Sequence, residues 1–275
     1  MIIPLTTKAN QSKVMRTAKR LLVKNNVEYS WDHGVEKNMV NEIIMAIERT
    51  KLFLQNEYHD QIRTHIQVVL FSSEKAMEEY LQINKIDGLT HKQIAELSKY
   101  PALTISARDS NNRPEAIILR NINKAHAGLD KVFIIAHELA HVWQAELAQQ
   151  YNFYEIKWLA EGMADVFAAN VLEQELAYQA IWLDIAKEYL NKIWLKSLHT
   201  PKGFQAEVEK YNMQLVYRIA DLATLSLKRN YGMEAIIHYF STIGVTHHAD
   251  KSFKNVFGIS PNKFEEQFSM GGLNL

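Results

Sequence analysis

Apolar residues recur along this chain with two different spacings. Over residues 36–56 (EKNMVNEIIMAIERTKLFLQN), Met39, Ile43, Ile44, Ile47 and Leu52 keep the three-and-four step of a helix with one buried face. HIQVVLF (65–71) is short and β-branched, which predicts a buried strand, and residues 74–83 return to helical spacing. ALTISARD (102–109) and EAIILRN (115–121) read as the two strands of a hairpin, because the intervening SNNRP is turn chemistry. A helix over 131–150 (KVFIIAHELAHVWQAELAQQ) follows. Helical spacing then dominates, over 158–176, 178–198, 204–229, 233–242, 249–256 and 261–269. Gly232 and Gly244 stand where helices would break, and Ser260-Pro261 pairs a hydroxyl cap with proline at the first helical position. Residues 1–30 read as a basic lead-in of helical character.

This order predicts an α+β fold. Residues 1–150 form an α/β lobe with a small mixed sheet and the helix at 131–150, and residues 151–275 form a mostly helical lobe. No Gly/Ser-rich linker parts the two, so the expectation is one compact unit with a cleft between the lobes. A length of 275 residues suits one or two domains and a sizeable core.

Charge and composition remove several classes of function. Lys plus Arg and Asp plus Glu both number 31, which argues against a nucleic-acid-coating protein and against a polybasic membrane binder. No apolar run reaches the ~18 residues that span a bilayer, so no integral membrane segment is expected. The start, MIIPLTTKANQSKVMRTAKR, lacks the apolar core of a signal peptide. That fits a cytoplasmic protein, or a secreted or periplasmic one whose signal has been removed. Cysteine is absent, which excludes disulfides, thiolate metal sites and a cysteine nucleophile. Any metal falls to histidines and carboxylates.

Those residues cluster in His137-Glu138-Leu139-Ala140-His141, an HExxH motif inside the helix at 131–150. Two histidines four apart differ by about 40° around the helix and by one turn along it, so both imidazoles can converge on one ion. Glu138, about 100° further round, can reach a water on that ion as a general base. The alternative is a buried helix with incidental histidines. Two imidazoles and a carboxylate among FIIA and LA are costly to bury unless something satisfies them.

A catalytic zinc takes three protein ligands and keeps one position open. A third histidine six residues after His141 is excluded, because Leu147 stands there and Gln144 replaces the glycine that pattern needs. The better candidate is Glu161 in WLAEGMADVFAAN (158–170), 20 positions after His141, enough for one helix to end and another to return. Asp165 shares its helix face and could accept the N–H of a ligand histidine.

HELAHVWQ followed by WLAEGMAD resembles the gluzincin branch of zinc metallopeptidases, the thermolysin-like and aminopeptidase-like group. The tail, YRIADLATLSLKRNYGMEAIIHYF and then SFKNVFGISPNKFEEQF, is similar to the helical end of small bacterial peptidases of that type, so the resemblance covers about residues 100–270. It implies one Zn²⁺ per chain held by His137, His141 and Glu161, Glu138 as base and proton shuttle, and Asp165 orienting a ligand. It further implies an oxyanion donor from the helical lobe, for which Tyr217 is the choice over Tyr211, Tyr231 and His238, with ordinary core packing as its alternative. The substrate would be a peptide or protein lying extended against a strand edge, and residues 115–121 could supply that edge or be a plain core strand. The Gly-Ala-Met-Glu-Asn type of segment found in aminopeptidases is missing, which favours endopeptidase action.

Two other readings compete: a regulatory metalloprotease that cleaves one dedicated protein, and a non-catalytic binding module that keeps the fold. The remaining histidines read as bland. His33, His59, His65, His91 and His199 are scattered, His247-His248 fit a solvent-facing cap, and His126 lines a loop without being a ligand. Trp182, Tyr189 and Trp194 sit at helical spacing, which predicts core packing.

Overall fold

The computed structural model describes residues 2–4, 20–83, 90–108, 114–122, 131–149, 156–174, 177 and 192–270. The fold is α+β and comprises two compact units, Met1–Glu146 and Leu147–Leu275.

The first unit is built on a mixed sheet. Its strands are β1 (Ile2–Pro4), β2 (Arg20–Lys24), β3 (Val27–Trp31), β4 (His65–Phe71), β5 (Ala102–Arg108) and β6 (Pro114–Asn121), in the order β1-β5-β6-β4-β3-β2. The β2–β3 and β5–β6 pairs are antiparallel and the others parallel. Period-two alternation divides the side chains between two faces. Val27, Tyr29 and Trp31 of β3, Ile66, Val68 and Leu70 of β4, and Ala116 and Ile118 of β6 pack with helix α1 (Lys37–Tyr58) and with Ile135, Leu139 and Val142 of helix α4 (Lys131–Leu147). Val69, Phe71, Leu103, Ile105 and Leu119 meet Met77, Tyr80 and Leu81 of α2 (Glu74–Ile83) and Ile94 and Leu97 of α3 (His91–Leu97). At about 1.5–3 kcal/mol for each large side chain buried, these two layers fix which face of β5 looks at α4. Leu103 and Ile105 take one face, and Thr104 takes the face of α4.

In the second unit α5 (Lys157–Val171) is buried all round, and Gly162 lets it approach the backbone of α7 (Met213–Tyr231) at Ala220. A 3₁₀ turn (Leu195–Leu198) and helices α6 (Pro201–Lys210), α8 (Met233–Thr246), α9 (Ala249–Phe257) and α10 (Pro261–Ser269) complete it. Trp158 anchors the first turn of α5, stacked on Phe264 at 5.4 Å between ring centroids and donating Nε1–H to Glu265 at 2.9 Å.

Several expectations need correction. Within the lead-in, residues 20–31 form a hairpin, not a helix, because Asn25 and Asn26 both adopt positive φ (47° and 62°) and make a two-residue turn. Of the two readings left open for strand 115–121, the core strand holds and the edge does not, since β6 pairs with β5 on one side and with β4 on the other along its length. The helix expected over 204–229 is two helices. Thr200 caps α6 through Gly203 N–H, Asn212 at φ 145° interrupts, and Asn212 then caps α7 through Leu215 N–H. Gly232 separates α7 from α8, but Gly244 lies inside α8, where a Cβ would come 2.9 Å from the carbonyl oxygen of Ala148. Trp194 is exposed, whereas Trp182, Tyr189 and most of the helix expected at 178–198 lie outside the described residues, as do His126 and the turn SNNRP except for Pro114.

Candidate metal centre

The apolar run of α4 packs one side of the helix onto the sheet, and its histidines lie on a single stripe. The rings of His137 and His141 meet edge to face, 4.7 Å between centroids. His141 is fully buried and His137 nearly so. Gln144, one turn on, sets the chemistry of His141: its Oε1 lies 2.9 Å from Nδ1. An amide oxygen accepts from a protonated Nδ1, which leaves the Nε2 lone pair for an ion. Gln144 is thereby an orienting partner of His141.

Glu138 is held from the sheet. Thr104 Oγ1, on β5, donates to Glu138 Oε2 at 2.5 Å and lies 3.2 Å from the Glu138 carbonyl oxygen. Burial pushes the Glu138 carboxyl up. Neighbouring positive charge, the two imidazoles included, and the Thr104 hydrogen bond outweigh that, so it sits below the ordinary carboxylate value and is ionised at neutral pH. Arg120 on β6 lies within range of the Glu138 charge. Burial lowers its guanidinium to about 10 against the opposing pull of Glu138, and it donates to the carbonyls of Pro101 (2.8 Å) and Asn121.

Glu161 is fully buried on α5, with Lys157 Nζ 2.5 Å from its Oε1. One turn further, Asp165 stands 3.7 Å from Arg218, which donates to Asp221 at 2.9 Å. Burial and the Asp165 charge together hold the Asp221 carboxyl well above its ordinary value.

His137, His141 and Glu161 are all buried, and each offers an atom that could ligate a metal ion. Two imidazoles with one carboxylate are a donor chemistry that suits zinc.

The expected oxyanion donors are placed as follows. Tyr217 is half-buried on α7 with its ring edge-on to Phe204, 5.2 Å between centroids. Tyr211 donates its hydroxyl to the carbonyl of Lys192, Tyr231 packs on Phe257, and His238 is exposed.

Four residues escaped the sequence reading. Gln144 and Lys157 were visible as helical neighbours of His141 and Glu161, three residues after and four residues before. Thr104 and Arg120 carried no signal, because strand pairing brings them to α4. His199, read as bland, joins Glu265 (Nδ1, 2.6 Å) and Asp250 (Nε2, 3.2 Å). Comparison of the chain with protein-family models and with curated proteins gives no match, so the functional argument rests on the site.

Proposed function

We propose that this chain is a zinc-dependent peptidase of the gluzincin type, with His137, His141 and Glu161 as metal ligands and Glu138 as general base. The observation that carries the reading is the pair of buried imidazoles one turn apart on α4, His137 and His141, 4.7 Å between ring centroids, with the Glu138 carboxylate beside them held by Thr104. When bound, zinc supplies Lewis acidity and a water-derived nucleophile at neutral pH. The protein's own part is proton handling. Thr104 occupies Glu138 Oε2, which leaves Oε1 to accept a proton from water and return it to the leaving amine. Gln144 keeps His141 in the tautomer that offers Nε2. The proposed substrate is an internal peptide bond of a peptide or protein, with Tyr217 as the oxyanion donor.

One observation favours a second reading. The Lys157–Glu161 ion pair neutralises the carboxylate by itself, as a non-catalytic module without metal would need. Metal analysis separates the two. The peptidase reading expects about one zinc per chain. It also expects Glu138→Gln to keep the metal yet lose hydrolysis of a casein-type substrate by 10² or more, and His141→Ala to lose the metal. Full activity in Glu138→Gln rejects the base, and a purified chain that takes up no zinc supports the module.

A further inference from the structure

Lys157 stands where two physical preferences oppose it. It is the first residue of α5, and a cation in the first turn works against the helix dipole. It is also only 5% exposed, and a buried ammonium is expensive without a partner. Both burdens are accepted one turn before Glu161, with Nζ 2.5 Å from Oε1. The lysine backbone is fixed as well. Its N–H donates to the carbonyl of His199 at 2.8 Å, and the next residue, Trp158, is locked against Phe264 and Glu265. The ammonium is therefore delivered to Glu161 from an anchored point and not from a free-swinging chain. Among the described residues of the unit, the other buried cation, the guanidinium of Arg218, is engaged by Asp165 and Asp221.

We infer that Lys157 is a positioning residue: it grips Oε1 of Glu161 so that the carboxylate presents Oε2 as the metal ligand. This rests on the metal reading above and adds how its carboxylate ligand is aimed. An ionised carboxylate has two acceptor oxygens, and a donor fixed on one of them sets the plane and direction of the other. Ligating carboxylates are themselves hydrogen-bonded, and loss of such partners typically weakens metal binding 10–100-fold. The same ion pair keeps the buried charge of Glu161 compensated before metal arrives, so the ligand is held ready in the folded chain instead of being organised by the ion.

The test is zinc affinity in the full-length chain, measured by competition with a chromophoric chelator, for wild type, Lys157→Met, Lys157→Gln and Lys157→Arg. Each variant is also melted in excess chelator and in excess zinc. The expected result is a dissociation constant 10–100-fold weaker in Lys157→Met, partial recovery in Lys157→Arg, and a smaller zinc-induced rise in Tm. A purely structural lysine would lower both melting temperatures equally and leave the dissociation constant unchanged. That result, or tighter zinc binding by a folded variant, overturns the inference while the metal reading survives. If Lys157→Met does not fold, Lys157→Gln and Lys157→Arg carry the same comparison. A wild-type chain that binds no zinc is a different failure, because it removes the metal reading before any variant is compared.

Discussion

Gly162 offers a perturbation whose size follows from the geometry. It follows Glu161 on α5, at the point where that helix touches α7. A Cβ at this position would fall inside contact distance of Thr224 Oγ1 and the Ala220 carbonyl oxygen, and 2.8 Å from the Ala220 carbonyl carbon. Non-bonded carbons rest about 3.5–4.0 Å apart, so the shortfall at the carbon is about 0.7 Å or more. Thr224 can rotate, but a helix carbonyl cannot, and relief needs α5 and α7 to part. Replacing glycine by alanine in a helix interior ordinarily gains about 1 kcal/mol. Overpacking a close-packed contact costs about 1–3 kcal/mol, occasionally more. Because the clash is with backbone, the upper end applies, and Gly162→Ala should lose about 2 kcal/mol net. Urea unfolding followed by circular dichroism and tryptophan fluorescence measures this, with an unchanged m-value showing that stability and not compactness moved. Adding Thr224→Ala removes one of the clashing atoms and leaves the carbonyl, so it should restore part of the loss. A Gly162→Ala chain as stable as wild type would refute the helix contact on which the position of Glu161 depends.

Further expectations concern the groups around the site. Thr104→Val keeps the shape and removes the donor to Glu138, a hydrogen bond to a charged group worth about 1.5–3 kcal/mol. The peptidase kcat should fall about tenfold or more with KM little changed, and an unaltered kcat would show that Thr104 does not steer the base. Gln144→Leu should weaken zinc binding about 10–100-fold, measured by chelator competition, and an equal affinity would remove its role at His141. His199 should make the stability of the second unit depend on pH. Its hydrogen bond to Glu265 leads the causes that raise its pKa above the ordinary value, and burial opposes them. The stabilisation is therefore complete below the unfolded-state value of about 6.5 and is lost as pH rises through the higher folded-state value. Urea midpoints taken in steps above pH 6 should decline in the wild type and flatten in His199→Gln; parallel slopes would contradict the assignment.

Much of the fold was legible because local physics agreed with the tertiary outcome. The strand at 65–71, the helices at 74–83 and 261–269 and the Ser260 cap all follow from spacing and capping chemistry, and Ser260 accepts from Lys263 N–H as a cap should. The misses have local causes too. Asn25-Asn26 is a hairpin turn that the basic charge of the lead-in obscured, and Asn212 splits one helical pattern because a cap and a helix interior can share the same periodicity. Gly244 reads as a breaker in one dimension, whereas close approach to Ala148 keeps it helical.

The sequence alone determined the chemistry on offer: without cysteine, His137, Glu138 and His141 at helical spacing, with Glu161 and Asp165 on a later helix, are the natural donors for an ion, because a helix fixes the bearing of side chains three and four residues apart. Tertiary structure decided who serves those donors. Thr104 reaches Glu138, and Arg120 comes within range of its charge, through the pairing of β5 with β6, an arrangement set by burying two faces of a sheet and not by neighbouring residues. Strand 115–121 became interior for the same reason: whether a strand is an edge depends on what pairs beside it, and non-local pairing leaves no mark in the strand's own residues.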